Sequence, residues 1–560
     1  MESTQKLDLN ITGMTCDGCA SHVRSALQGI EGVTRVEVPD WSQGKATVQS
    51  AEPVPVETLV QAVKNAGYGA GLNSPREISE PSGRTGFDLI VIGTGGAGMG
   101  AAIRAAELGR SVGIIEAGTI GGTCVNVGCV PSKTLLRAAE AHYKPSHHAF
   151  KGVHTRSEPV DWKTVIAEKD RLVEDLRQQK YVNVIQSYSD NLTLIRGRAK
   201  LRADGSVEVA GQGVFKAPKI VIATGARPRI LPIEGIESVE VLTSTTAMDL
   251  PERPDSLIII GGRFIALEQA QMFSRFGTRV TILQRSQRLI PDDEPEIAEA
   301  IAGYLTKEGV SVHTGVEHKA IREENGEKVV TAVVDGETRE FRAEQVLMAA
   351  GRVANTDGLG LEKLGLETPS VELDPSGAII VDDQMQSTNP NIFAAGDVSN
   401  RPQLVYVAAA AGGIAAENAL NGGGKALDLN VLPEVVFTDP QIARVGLTEA
   451  QARDAKYEIK TTILPLEYVP RALAARDTRG LIKLVANAKN DRLLGAHILA
   501  AEGGEMIQTA ALAIHAGRKY GFTVTDLRQM LFPYLVQAEG LKLAALTFDK
   551  DVSQLSCCAG

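Results

Sequence analysis

Gly121-Gly122-Thr123-Cys124-Val125-Asn126-Val127-Gly128-Cys129-Val130-Pro131-Ser132-Lys133 is the stretch on which the reading of this 560-residue chain turns. Two cysteines five positions apart would be separated by ~7.5 Å along an ideal helix, at or beyond the ~4.4–6.8 Å between the Cα atoms of bridged cysteines. Sulfurs in contact therefore require a distorted turn, and Gly128, beside the second cysteine, permits one. A bare Cys-x4-Cys would read as two buried structural cysteines. The glycine pair before it, the Pro-Ser-Lys after it and a nucleotide-binding pattern upstream turn the reading toward redox chemistry.

That upstream pattern begins at residues 87 to 92, a buried strand, and continues as Gly93-Thr94-Gly95-Gly96-Ala97-Gly98 before an alanine-rich helix. The next strand, 111 to 115, ends at Glu116, the distance at which a carboxylate accepts from an adenosine ribose. Glycines alone would say little; strand, glycines, helix, strand and acid in order predict a dinucleotide whose pyrophosphate rests on the helix N-terminus. A second unit opens at Leu257-Ile-Ile-Ile-Gly-Gly-Arg-Phe-Ile-Ala-Leu-Glu268, where Gly261 keeps its place but Arg263 and Ala266 replace the later glycines. By itself this pattern also suits a buried strand and helix with no ligand. After the following strand, Gln284 stands where an acid would select a free 2'-hydroxyl, and Arg285, with Arg288 near it in sequence, offers charge for a 2'-phosphate. Solvated surface arginines are the alternative.

A chain of this length exceeds a single core, so several domains are expected. Hydrophobic residues make up 43%, charged residues 22%, and the formal net charge is -10 without long blocks of one sign. A polyanion would be repelled, so no nucleic-acid partner is expected. The start, Met1-Glu2-Ser3-Thr4-Gln5-Lys6, is polar, with no signal-peptide core after it, and no run reaches the roughly eighteen apolar residues of a membrane span. A cytoplasmic location is expected.

The six cysteines fall as three close pairs, Cys16/Cys19, Cys124/Cys129 and Cys557/Cys558. Structural disulfides usually join distant segments and do not persist in a reducing cytoplasm, so paired thiols point to redox work or a soft metal. Consecutive Cα atoms are ~3.8 Å apart, below the ~4.4–6.8 Å of ordinary disulfides, so Cys557 and Cys558 suit binding better than bridging. His147-His148 reads as a solvated loop.

Near the N-terminus, Leu7, Leu9 and Ile11 alternate as in a strand, and Gly13-Met14-Thr15-Cys16-Asp17-Gly18-Cys19 turns into a helix with Val23, Ala26 and Leu27 on one face. Strands at 33 to 38 and 45 to 49 and a helix at 56 to 66 complete a ferredoxin-like β-α-β-β-α-β order. At a helix start the dipole favours thiolates. Two thiolates without histidine suit a soft, low-coordinate ion better than zinc. Residues 73 to 86, with two prolines, two glycines and no apolar period, read as a flexible tether.

The Gly-Met-Thr-Cys-x-x-Cys pattern resembles heavy-metal-associated domains, which implies that Cys16 and Cys19 bind monovalent copper or divalent mercury. The Cys124–Cys129 string with its context, over roughly residues 87 to 550, resembles the pyridine nucleotide-disulfide oxidoreductases. That resemblance implies a redox-active pair with Cys124 meeting substrate and Cys129 against a flavin. It assigns FAD to the first nucleotide site through Gly93, Gly95, Gly96, Gly98, Glu116, Gly122, Thr123, Lys133, Thr224, Gly225 and Asp397. NADPH falls to the second, through Gly261, Arg285, Arg288 and Gly351. It pairs Lys133 with Glu268 beside the flavin, and it implies a homodimer with a shared active site.

The implied architecture is α/β: a glutathione-reductase-like flavoprotein with two dinucleotide-binding domains, an α+β dimerisation domain and an added N-terminal ferredoxin-like domain. The expected boundaries are 1–72 metal-binding, 73–86 linker, 87–232 and 356–430 FAD-binding, 233–355 NADPH-binding and 431–560 dimerisation. Disulfide reductases of the family carry a proton-shuttling histidine near the end of the chain; Leu531-Phe532-Pro533-Tyr534 has Phe532 there. An enzyme that protonates an organic thiol leaving group would lose its acid. With the added Cys557 and Cys558, these departures resemble the branch of the family that reduces divalent mercury, and they imply that Tyr181 and Tyr534 line the metal site. Hg(II) would arrive as a thiol complex or from a metal-transfer protein and pass from Cys16/Cys19 through Cys557/Cys558 to Cys124/Cys129. A disulfide reductase of glutathione reductase or dihydrolipoamide dehydrogenase type with a fused metal domain stays open at this point, as does a non-catalytic metal carrier.

Overall fold

A computed structural model describes residues 5–12, 14, 17–38, 45–51, 54–72, 85–365 and 368–556. The chain separates into two compact units, residues 1–84 and 85–560.

In the first unit, strands Gln5–Thr12, Val33–Glu37, Lys45–Ser50 and Gly69–Leu72 form one antiparallel sheet with Gln5–Thr12 between the third and the fourth. Alternation sends Leu9 and Ile11 to the same face, where they meet Val23 and Leu27 of helix α1 (Asp17–Gln28) and Leu59 and Val63 of helix α2 (Val56–Asn65). Both helix pairs are spaced by four residues, so one stripe of each helix is buried. Strand–helix–strand–strand–helix–strand is the predicted ferredoxin-like order.

The second unit contains two parallel five-stranded sheets. In the first, Leu89–Ile92 is central, flanked on one side by Lys219–Ile222 and Ile392–Ala394 and on the other by Val112–Glu116 and Leu192–Arg196. All four residues of Leu89–Ile92 are buried, as in a sheet covered on both faces. One cover is helix α3 (Gly96–Glu107), against which α9 (Val405–Asn421) packs closely. A Cβ at Gly100 would fall 2.5 Å from the Ala409 carbonyl oxygen and one at Gly412 2.0 Å from that of Ala97, so this approach demands glycine. The second sheet is centred on Ser256–Ile260, with Arg279–Leu283 and Gln345–Met348 beside it. Its helix α8 (Phe264–Arg275) is buried almost all round. Arg275, buried on α8, bonds Glu308 at 2.8 Å and Asp439 at 3.0 Å.

The last part is an antiparallel sheet, Glu434–Val436, Gln441–Gly446, Leu493–Ala500, Leu481–Asn487 and Ile459–Pro465 in spatial order. Helix Gly503–Tyr520 packs on it through Met506, Ile507, Ala510 and Ile514. Among the described residues no helix is long and apolar enough to cross a membrane. The expected loop at His147-His148 is corrected: His147 ends helix α5 (Cys129–His147) and stacks on Tyr143 with ring centroids 3.7 Å apart, an i, i+4 contact. His148 bonds Thr155 at 3.0 Å.

Candidate active site

A cavity of about 1230 Å³ opens along the C-terminal ends of the first sheet. It exceeds the ~300–1,000 Å³ of an ordinary small-molecule pocket, as an extended dinucleotide needs. One end is lined by Gly93, Gly95, Gly96 and Glu116, the other by Cys124, Cys129, Lys133 and Glu268. Gly93 has φ +109, and a Cβ there would lie 2.4 Å from the Ala223 carbonyl oxygen; one at Gly98 would lie 1.9 Å from that of Gly93. These glycines bring bare backbone to the N-terminus of α3, a place suited to an anion. Glu116 Oε2 accepts from the Thr94 N–H at 3.2 Å, and Oε1 accepts from the Gly118 N–H at 2.7 Å.

The thiol loop lies directly on this cradle. Gly122 has φ +63, and its Cβ would stand 2.6 Å from the Cα of Gly95. The Gly121 N–H donates to Thr94 Oγ1 at 3.0 Å. Asn126 closes the turn by donating to the carbonyls of Ile120 and Gly122 at 2.9 and 2.8 Å, and Arg177 holds Asn126 at 2.7 Å. Helix α4 (Gly122–Val127) then stops at Gly128, φ −127 and ψ −109, and α5 starts at Cys129. A Cβ at Gly128 would press on the Thr123 carbonyl oxygen at 2.9 Å. The break expected between the cysteines is present, with glycine at the point of closest approach.

Both sulfurs are thiols, the reduced form of the pair. Cys124 donates to Cys129, which holds the Cys129 thiol down to about 7. Burial opposes this and the Lys133 ammonium adds to it. The same hydrogen bond and burial push Cys124 up. Cys129 also stands at the N-terminus of α5, where a thiolate is favoured. The inner sulfur is thus the one that ionises first, about half of it thiolate at pH 7, and the outer one keeps the proton.

Lys133, one turn along α5, donates to Glu268 Oε2 at 2.7 Å. This is the expected pair, formed between helices of the two nucleotide units. The second Glu268 oxygen accepts the Phe437 N–H at 2.9 Å, and the Phe437 ring centroid is 4.7 Å from the ammonium.

Sequence reasoning missed Arg352. Its Nη2 donates to the Ala226 carbonyl, and it lies 3.5 Å from Thr123 Oγ1. Its Nε is buried without a hydrogen-bond partner, 3.7 Å from Asp397 Oδ2. Burial pulls Arg352 down and Asp397 up, each opposed by the other's charge. Two half-satisfied polar groups on the cavity wall, with the glycine cradle and the length of the cavity, fit FAD, whose ribityl and ring polar atoms would complete them. The signal available was Arg352 directly after Gly351.

In the second unit Gly261 has φ +128, and its Cβ would meet the Ala349 carbonyl oxygen at 2.3 Å. Arg263, the residue in a glycine's place, is the extended N-cap of α8 and turns outward to pair with Asp292. The N-terminal backbone of α8 therefore stays open to a pyrophosphate. Arg285 is exposed at the end of its strand, whereas Arg288 donates to the carbonyls of Pro291 and Asp293 at 2.8 and 3.2 Å. Of the two expected arginines, Arg285 is left facing solvent and Arg288 bonds its own loop. Gly351 lies outside the large cavity's lining, its carbonyl accepting from the Arg229 N–H at 2.9 Å.

Residues 87–412 match the family described as pyridine nucleotide-disulphide oxidoreductase, 432–545 its dimerisation domain and 8–69 the heavy-metal-associated domain. A mercuric reductase of Lysinibacillus sphaericus is 43% identical over 563 residues, covering 99% of this chain and 100% of the relative. One of Staphylococcus aureus is 44% identical over 555 residues, covering 98% of each. The chain belongs to the pyridine nucleotide-disulphide oxidoreductase family, on its mercuric reductase branch. Among solved structures, the HOCl-induced flavoprotein disulfide reductase RclA of Escherichia coli matches with a TM-score of 0.73 at 31% identity, covering 82% of this chain and 99% of that one. LpdA of Mycobacterium tuberculosis matches with a TM-score of 0.72 at 26% identity, covering 82% and 100%. FAD and NADPH are the cofactors of this branch, and the dimerisation domain supports a homodimer.

The family's remaining expected residues divide by position. Tyr181 sits in a π-helical turn, Gln178–Val182, between α6 (Trp162–Arg177) and α7 (Asn183–Ser187). Its ring edge is 3.5 Å from where a Gly121 Cβ would stand, and burial, with the charges of Cys124 and Cys129, pushes its hydroxyl up. Tyr534 is 53% exposed on the dimerisation domain beside Leu531, 94% exposed, while Phe532 packs on that domain's core. Cys19 lies in the first turn of α1 against the small core of its unit. Cys16, Cys557 and Cys558 lie outside the described residues. Among the described residues no cluster of three or more His, Cys, Asp or Glu could hold a metal.

Proposed function

We propose that this chain reduces thiolate-bound Hg(II) to volatile Hg(0) with electrons from NADPH. The observation that carries the reading is the pair of thiols sharing one proton beside Lys133, in a chain with Phe532 where the family's disulfide reductases carry their proton-shuttling histidine. A substrate disulfide releases a thiolate that must be protonated, whereas a metal ion accepts two electrons and needs no acid. FAD and NADPH, held by the glycine cradle Gly93–Gly98 and the N-terminus of α8, would supply the two electrons, with NADP+ and a proton formed beside Hg(0).

The chain's own groups do the rest. Cys129 is the thiol that ionises first and so the first anionic ligand, and Cys124 becomes the second when its proton leaves. Each entering thiolate attacks before the previous ligand departs, so the ion is never released. The Lys133 ammonium, held by Glu268 on the cavity wall, would place positive charge beside an anionic reduced flavin. Cys557 and Cys558 of one subunit hand the ion to Cys124 and Cys129 of the other, with Tyr181 and Tyr534 along the path. Cys16 and Cys19 capture it first, and tethering raises its concentration near the catalytic unit.

The test compares NADPH oxidation with Hg(II) in excess thiol against oxidised glutathione and lipoamide. Mercury alone should drive turnover and release elemental vapour. Turnover with an organic disulfide but not with mercury refutes the assignment. Replacing Cys557 and Cys558 by Ala should impair turnover of thiol-complexed Hg(II) while NADPH still reduces the flavin. Unimpaired mercury turnover in that variant removes the relay.

A further inference from the structure

Three consecutive features of helix α8 face one short segment of the dimerisation domain. Glu268, Gln271 and Arg275 follow the i, i+3, i+7 spacing of one helix face. Gln271 donates to the Asp439 carbonyl at 2.9 Å and accepts the Asp439 N–H at 2.7 Å. Arg275 bonds the Asp439 carboxylate at 3.0 Å. Phe437, two residues earlier, is thereby set against Glu268 by its N–H and against Lys133 by its ring.

We propose that Phe437 is a positioning residue for the Lys133–Glu268 pair, its peptide N–H fixing the carboxylate and its ring fixing the ammonium. Glu268 is 7% exposed and has two oxygens to satisfy; Lys133 takes one, and the Phe437 N–H takes the other. With both oxygens engaged, the carboxylate has one orientation. The ammonium, 32% exposed, would otherwise swing on four methylenes toward water. An aromatic face at 4.7 Å gives it a second fixed neighbour without a second negative charge, so its field at the flavin is not cancelled. Phe437 itself lines the cavity.

The inference rests on the flavin part of the proposed function and not on mercury. It is tested by the midpoint potential of bound flavin in the full-length holoenzyme, its dithiol already reduced, equilibrated with a reference dye. Phe437→Leu should shift the equilibrium toward oxidised flavin by roughly threefold, the size of a partly exposed cation–π contact. At 29.6 mV per tenfold for a two-electron couple, this is about 14 mV more negative. Phe437→Tyr, which keeps a ring, should retain the wild-type potential. In a Lys133→Met background Phe437→Leu should add nothing. Gln271→Ala, which loosens the segment and leaves the ring intact, should move the potential in the same direction by less, and Phe437→Met replaces the leucine variant if that chain does not fold. An unshifted potential in Phe437→Leu, or an equal shift with and without Lys133, overturns the proposal. Either result leaves mercury reduction standing, because no mercury enters the measurement.

Discussion

Replacing Cys124 tests how the outer thiol sets the charge of the inner one. In the reduced pair Cys124 donates to Cys129, and this bond is the largest influence holding Cys129 at about 7, ahead of the field of Lys133. A hydrogen bond to a charged acceptor is worth roughly 1.5–3 kcal/mol, or about one to two pKa units at 1.36 kcal/mol each. Cys124→Ala removes the donor and should raise Cys129 by that amount, so at pH 7 the thiolate fraction falls from about half to between a tenth and a hundredth. Cys124→Ser keeps an O–H donor and should stay near the wild-type value. The measurement is the rate of iodoacetamide alkylation of Cys129 against pH, with tandem mass spectrometry separating it from Cys124. Because the thiolate reacts, the rate rises through the pKa, and the alanine profile should move to higher pH. Lys133→Met should move it the same way by less, as the weaker influence. Coincident alanine and serine profiles would refute the shared proton.

Gly98→Ala should cost the protein its flavin, because the new Cβ would stand 1.9 Å from the Gly93 carbonyl oxygen; a wild-type ratio of flavin to protein absorbance after purification contradicts the cradle. Arg285→Ala should lower the kcat/KM ratio of NADPH over NADH by roughly 10- to 150-fold, the loss of one charge-assisted bond. Arg288→Ala should leave that ratio nearly unchanged, since its guanidinium is spent on the Pro291 and Asp293 carbonyls. The reverse ordering would exchange their roles.

Local rules carried the sequence a long way. The alternation of Leu7, Leu9 and Ile11, the apolar run ending at Ile92 and the need for a break beside Gly128 each depend on neighbours a few residues away, and each is present in the fold. The pairing of Lys133 with Glu268 joins residues 135 positions apart and was legible only through family resemblance. Arg352 was missed because its meaning comes from Asp397 across the cavity and not from its own surroundings in the chain. Phe437 was missed for a different reason: what it gives Glu268 is a backbone N–H, which every residue but proline possesses. Arg263 looked like a misfit because a side chain in a glycine's place suggests obstruction. The extended N-cap turns it outward to Asp292, and only the backbone conformation reveals that.

Glu268 has its first partner behind it in the chain and its second 169 residues ahead. A ribosome adding roughly 5–20 residues per second needs about ten to thirty seconds to cross that interval. Throughout it the nascent polypeptide has the strands Leu89–Ile92 and Ser256–Ile260 but lacks the wall formed by Pro433, Val435 and Phe437, with Ile507 later still. A dinucleotide taken up early would face open solvent, so an interrupted translation product has a pocket it cannot shelter. The cavity is walled only once the chain has been extended through Ile507.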